Sequence, residues 1–263
     1  MHYGQAQHAV GPGSLQLPMR IPRIYTSGNL LPHQSVSIEE QAHKQIKDVL
    51  RLDTGDAVTL FNGDGFDYRG RIAQLNKKST QIQLQEKTHV GNESPLAIHL
   101  LQPLCRSEKM DWCLQKAIEL GVSKITPFAS SRVNIKITEN RLGKKMDHWQ
   151  SVIHSACEQS GRATIPQISP PMDLDKVIDN IPDDYLKVIA TPSADRNDIE
   201  TLNGQPEKCV CLIGPEGGFS EEETFNANHA GFYNCLLGPR ILRLETAVIA
   251  VLTLLQARWG DLS

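Results

Sequence analysis

Several things are missing from this chain of 263 residues, and each absence removes a class of protein. No apolar run is long. The longest, Ala247 to Leu255, is broken by Thr253 and closed by Gln256 and Arg258, well short of the roughly 20 residues a bilayer-spanning helix needs. No charge sign dominates: 27 Lys and Arg stand against 30 Asp and Glu, a formal net charge of −3. That balance argues against a histone-like arm or an acidic disordered tail, while leaving room for a local RNA site. The 6 Cys form no CxxC pair and the 9 His form no HxH or HExxH cluster, so no metal is expected and the thiols read as structural. Neither GxGxxG nor a Walker GK[ST] occurs. Residues 1–18 hold no Lys, Arg, Asp or Glu and no apolar core, so they lack the parts of a secretory signal. They are expected to be a leader or extension before a start at Met19, and the protein to be cytoplasmic with no membrane association.

What is present supports a sizeable core, since 40% of residues are hydrophobic. The pattern changes near Asn92. From residue 19 to 92 short alternating segments (DAVTLFNG, YRGRIAQL, STQIQLQEKTHV) are separated by Gly, Asn and Asp turn residues, which predicts a small β-rich domain. Asn62-Gly63-Asp64-Gly65 marks a tight turn. One helix is expected over Glu39 to Leu50, with Ile46, Val49 and Leu50 on one face. This part carries 10 basic and 8 acidic residues, against 17 and 22 in residues 93–263. From Ser94 onward strands alternate with helices (LAIHLLQPL, EKMDWCLQKAIELG, SKITPFA, MDHWQSVIHSACEQSG, LKVIATP, CVCLIG, SEEETFNANHAG, FYNCLLG, LETAVIAVLTLLQARWG), predicting an α/β fold with a mostly parallel sheet covered on both faces. Ser220 with Glu223 forms a capping box, and Gly121 and Gly231 stand where helices should stop.

Three segments fall just beyond strands of this second half: Thr191-Pro192, Gly214-Pro-Glu-Gly-Gly218 and Leu237-Gly-Pro-Arg-Ile-Leu-Arg243. Ligands of open α/β sheets bind outside the carboxyl ends of the strands. Glycines there let the backbone approach a ligand closely; a lone GxxGG is more readily a set of turn residues, but two glycine loops after adjacent strands shift that balance. The acidic run Glu221-Glu222-Glu223 opening the next helix would repel a pyrophosphate. An uncharged or cationic ligand portion suits the loop better, and the sulfonium of S-adenosylmethionine is compatible with it.

The phrases MRIPRIY, EKMDWCLQKAIELGVSKITP, ACEQSGR, LIGPEGGFS and LGPRILRLETA, in that order before a final helix ending in RWGDL, resemble the RsmE-type ribosomal RNA uridine methyltransferases of the SPOUT superfamily. The resemblance covers nearly everything from Met19 on. It implies an N-terminal PUA-like β-barrel for RNA over 19–92 and a C-terminal SPOUT-type parallel sheet over 93–263, tied in a trefoil knot. It also implies a homodimer. The activity it implies is methyl transfer from S-adenosylmethionine to N3 of a uridine in 16S ribosomal RNA of the small subunit, giving 3-methyluridine and S-adenosylhomocysteine.

Catalytic candidates under this resemblance are Arg162, Arg240 and Arg243, whose guanidiniums are suited to stabilising negative charge on uracil O2 or O4. Cofactor contacts are expected from Thr191, Pro192, Gly214, Glu216, Gly217, Gly218, Leu237, Gly238, Ile241, Leu242 and Thr246. For RNA, Arg20 and Arg23 lie beside an aromatic, Tyr25, and Arg132 follows the strand KITPFA; Lys77 and Lys78 read as a solvated hairpin tip. No general base stands out. Two other readings remain open: a non-catalytic RNA-binding or ribosome-assembly scaffold, and an α/β enzyme that places a phosphate on GPEGG.

Overall fold

The computed structural model describes residues 21–132, 138–192 and 197–262. The expected leader and Arg20 lie outside the described residues.

The N-terminal strands are β1 (Arg23–Tyr25), β2 (Ser35–Glu39), β3 (Ala57–Phe61), β4 (Phe66–Leu75) and β5 (Ser79–His89). They form one curled sheet in the order β1-β3-β4-β5-β2, with β1 parallel to β3 and the other pairs antiparallel. No ladder joins β1 to β2 among the described residues, so this sheet is not closed by hydrogen bonds. Period-two alternation decides its faces: Tyr68 and Ile72 on β4, and Ile82 and Leu84 on β5, point into a core with Ile24, Ile38, Val58 and Leu60. The residues between, Arg69 and Arg71 among them, face solvent. The Asn62–Gly65 turn joins β3 to β4, as its sequence predicts.

The helix expected over Glu39 to Leu50 forms over residues 40–49, but not as one α-helix with a single apolar face. After α1 (Glu40–Lys44) the chain widens into a π turn, Gln45–Val49, in which the Leu50 amide donates to the Gln45 carbonyl at 2.9 Å. An i→i+5 turn holds more residues than an α turn. The three apolar residues therefore do not share a face: Ile46 is buried, while Val49 is 74% exposed and Leu50 is 36% exposed.

The second half runs β6 (Ala97–Pro103), α2 (Ser107–Glu119), β7 (Val122–Ala129), α3 (Glu139–Ser160), β8 (Gln167–Ile168), β9 (Met172–Asp173), α4 (Leu174–Asp179), β10 (Leu186–Ala190), β11 (Lys208–Ile213), α5 (Glu221–His229), β12 (Tyr233–Cys235) and α6 (Leu244–Trp259). The sheet order is β12-β10-β11-β6-β7-β8, with β9 also on β7, and every pair is parallel. The chain builds outward from β6 to β8, crosses back to β10, and then lays β11 into the slot between β10 and β6. Successive residues of the central strands serve opposite faces. Val188, Cys209, Cys211 and Ile213 join one core with α2, α3 and α6, while Ile189, Val210 and Leu212 join the other with α4 and α5. Burial on both faces explains the uninterrupted apolar run of CVCLI. All 6 Cys are buried and unpaired. The short α4 escaped the sequence reading, although Leu174, Val177 and Ile178 have helical spacing and all three are buried.

The two halves meet through a polar clamp. Arg23 grips Asp67 through Nε at 3.1 Å and Nη2 at 2.6 Å, donates to the Cys157 carbonyl at 2.8 Å, and lies 4.5 Å over the Phe61 ring. Arg23 Nη2 also donates to the Arg162 carbonyl at 3.3 Å, and Arg162 is anchored within the second half, gripping Glu93 at 3.1 and 2.5 Å and donating to the carbonyls of Ile118 and Val122 at 3.0 and 2.8 Å. Tyr25 stacks on His154 of α3 with ring centroids 3.6 Å apart.

Candidate functional site

The carboxyl ends of β10, β11 and β12 each hand over to one of the three loops singled out in the sequence, and the loops enclose a cavity of about 420 Å³. This is where the strand order reverses, the place an open α/β sheet offers a ligand. Leu237, Leu242, Leu244, Ala247 and Phe219 supply apolar wall, and the backbone of the glycine loops supplies polar groups. Two glycines shape the loop after β11. A Cβ on Gly214 would sit 3.3 Å from the Phe219 ring and 3.5 Å from the Ala190 carbonyl, so that the ring would have to give by a small amount. Gly218 has φ +69°, in the left-handed region, which lets its amide turn back to the Pro215 carbonyl at 2.8 Å.

The loops are held from outside. Ser220 caps α5 by accepting the Glu223 amide at 3.1 Å, while the Glu223 carboxylate accepts the Ser220 amide at 2.8 Å and the Ser131 amide at 2.8 Å. That one side chain completes the capping box and ties the loop after β7 to the loop after β11. Burial acts to raise the Glu223 carboxyl, but the hydrogen bonds from Ser220 and Ser131 outweigh it and hold it below the ordinary carboxylate value. Arg132 lies against Gly217 and donates to its carbonyl at 3.0 Å. The third loop is pinned by Asn197, whose Oδ1 accepts the Leu236 amide at 3.2 Å.

Of the expected cofactor contacts, Thr191, Pro192, Gly214, Glu216, Gly218, Leu237, Gly238, Ile241 and Leu242 all line the cavity. Gly217 lies just behind the lining beneath Arg132, and Thr246 is exposed in the first turn of α6, outside it. Arg240 and Arg243 are in the lining and exposed, and neither makes an ion pair among the described residues.

Other candidates lie elsewhere. Arg162 packs at Val122, the first residue of β7, at the amino end of the sheet and an 8-residue strand's length from the carboxyl-end loops. It is 4% exposed with its donors taken by Glu93 and two carbonyls, so its guanidinium is held at the amino end of the sheet and away from the carboxyl-end cavity. Arg23, with its side chain 8% exposed and committed to Asp67, is part of the junction of the halves, and Tyr25, stacked on His154, is half-buried at the edge of a cleft between β1, β2 and α3. Arg132 faces the glycine loop.

Lys109 is the charged lining residue that sequence reasoning missed, alongside the apolar Ala190, Phe219, Cys235, Leu244 and Ala247. Its ammonium contacts the Glu216 carboxylate and lies 3.8 Å from Glu245 Oε2. The contact with Glu216 raises the Lys109 pKa. The available signal was its place in EKMDW, at the start of the helix that follows β6, the strand beside β11.

Comparison with known proteins agrees with this geometry. Residues 92–256 match the RNA methyltransferase domain family and residues 46–85 the RNA methyltransferase PUA domain family. Ribosomal RNA small subunit methyltransferase E of Buchnera aphidicola is 39% identical over 247 residues, spanning 93% of this chain and 99% of the relative. A Neisseria gonorrhoeae ribosomal RNA small subunit methyltransferase E, solved with S-adenosyl methionine, superposes with a TM-score of 0.85 at 34% identity, covering 92% of this chain and all (100%) of that one. A Legionella pneumophila protein solved with bound cofactor SAM gives a TM-score of 0.88 at 39% identity, over 92% of this chain and 99% of that one. With its carboxyl-end pocket and end-to-end likeness to these proteins, the chain belongs to the ribosomal RNA small subunit methyltransferase E family.

Proposed function

We propose that this protein transfers a methyl group from S-adenosylmethionine to N3 of a uridine in 16S ribosomal RNA of the small subunit, leaving 3-methyluridine and S-adenosylhomocysteine. It works in the cytoplasm as a homodimer whose C-terminal half is knotted; residues 93–263 form the transferase unit and residues 19–92 the RNA-docking unit. The observation that carries the reading is the convergence of the three carboxyl-end loops on one cavity, lined by nine of the residues expected to hold the cofactor.

The cavity suits such a cofactor. Apolar side chains at Leu237, Leu242 and Leu244 flank it as an adenine would require, the glycine loops bring backbone groups to its edge, and Glu216 adds negative charge that favours a cationic group. Bound there, S-adenosylmethionine supplies an electrophilic methyl on a sulfonium. The protein's own task is to make uracil N3 a nucleophile and aim it. Neutral N3 carries a proton, so charge appearing on O2 and O4 must be stabilised. Arg240 and Arg243, at the cavity mouth with no ion-pair partner among the described residues, are placed to donate to those oxygens and lower the affinity of N3 for its proton, which then passes to solvent.

RNA docking falls to the exposed cations of the β4–β5 hairpin: Arg69, Arg71, Lys77 and Lys78 face solvent, whereas the Arg23 side chain is committed to Asp67 at the junction. Tritium transfer from labelled S-adenosylmethionine to undermethylated small subunits and to free 16S RNA, followed by nucleoside analysis, tests the assignment. Label in 3-methyluridine is the expected result. Label in another nucleoside would overturn the target, and none at all would leave a non-catalytic scaffold.

A further inference from the structure

The charge cluster at the cavity mouth is unevenly satisfied. Lys109, in the first turn of α2, faces two carboxylates from two different pocket segments: Glu216 of the glycine loop and Glu245 of the first turn of α6. It contacts Glu216. Glu245 Oε2, with almost no solvent contact, has no hydrogen-bond partner, and the ammonium stands off at 3.8 Å. A buried carboxylate oxygen without a donor is unfavourable, and a long, flexible side chain beside it, with 34% of its surface exposed, is able to move to it. Arg243 adds positive charge near Lys109 without occupying Glu245.

We infer that Lys109 is a two-position positioning residue, resting on Glu216 in the free protein and passing to Glu245 when a ligand's donors occupy the Glu216 carboxylate. This rests on the reading of the cavity as the S-adenosylmethionine site. The exchange releases Glu216 for the ligand and gives Glu245 the donor it lacks. Because Glu245 sits between Leu244 and the cavity-lining Ala247 at the start of α6, directly after Arg243, the exchange also fixes that segment once the cofactor is in place. Cofactor binding is thereby linked to the position of the arginines that meet the uracil.

A double-mutant cycle on cofactor affinity separates this from a static salt bridge. Calorimetry with S-adenosylmethionine is run on the wild type, Glu245→Gln, Lys109→Met and the double variant, with melting temperatures as a folding control. Without its second seat, Lys109 keeps competing for Glu216, so Glu245→Gln weakens binding by about 5-fold in the wild-type background. In the Lys109→Met background the same change has less than about a 2-fold effect, and Lys109→Arg restores the dependence. Equal effects of Glu245→Gln in both backgrounds, or none in either, would overturn the exchange. Failure of the wild type itself to bind S-adenosylmethionine would instead remove the cofactor reading on which the exchange stands.

Discussion

The two ends of the C-terminal sheet both carry arginines drawn from short motifs, and they use them in opposite ways. At the amino end, Arg162 is 4% exposed and its donors are taken by Glu93 and the carbonyls of Ile118 and Val122. At the carboxyl end, Arg240 and Arg243 stand exposed on the cavity lining, without an ion-pair partner among the described residues. A guanidinium with its donors spent is tied into the structure, and one with donors in hand is available to a ligand. Residue type and motif membership do not distinguish the two. Their partners do.

Substitution should separate the ends. Replacing both Arg240 and Arg243 by Ala is expected to lower kcat by about 1000-fold while S-adenosylmethionine affinity and melting temperature stay close to wild type; single-turnover methylation assays and calorimetry check this. A near-normal kcat would move substrate activation elsewhere. Arg162→Ala should do the reverse. It leaves two carbonyls and Glu93 without their donor, costing about 2–4 kcal/mol of stability in denaturant titrations, while activity per folded molecule at low temperature stays within about 3-fold of wild type. A large kcat loss in a fully folded Arg162→Ala protein would erase the contrast.

The last expected effect, felt only on acidification, concerns a group belonging to neither end. His99, on β6, is 8% exposed, with its Nε2 2.8 Å from Thr126 Oγ1. Burial, helped by the charge of Lys124, pushes its pKa down to about 4. An unfolded histidine takes a proton near pH 6.5, so as pH falls from there toward 4 the unfolded chain binds protons that the folded one refuses. His99 therefore contributes stability that is whole above pH 6.5 and is lost on acidification, by up to roughly 3 kcal/mol. Burial pushes His154 down to about 4 as well, adding to the same slope. His99→Gln should flatten the dependence of stability on pH between 6.5 and 4, read by urea midpoints across that range.

Sequence patterns exposed the local parts of this architecture. Alternation marked the strands, and the Ser220–Glu223 capping box and the stops at Gly121 and Gly231 followed from backbone hydrogen bonding within a few residues. The three carboxyl-end loops were legible because glycine and proline interrupt apolar runs there. What escaped depends on partners far apart in the chain. Arg162 and Glu93 are 69 residues apart and Arg23 and Cys157 are 134, so no local pattern could show that these arginines are spent. Lys109 meets Glu216 across 107 residues and was hidden for the same reason. The π turn after α1 escaped differently: Ile46, Val49 and Leu50 carry α-helical spacing, and only the hydrogen bonds show that the turn is wider.

The most direct test of the contrast between the ends is calorimetry of S-adenosylmethionine binding to Arg162→Ala and to Leu242→Trp, a change that fills the carboxyl-end cavity. The account predicts that Arg162→Ala binds within about 2-fold of wild type and that Leu242→Trp loses binding by at least about 100-fold. Retained binding by a folded Leu242→Trp protein, with loss in a folded Arg162→Ala protein, would place the cofactor at the other end of the sheet and contradict it.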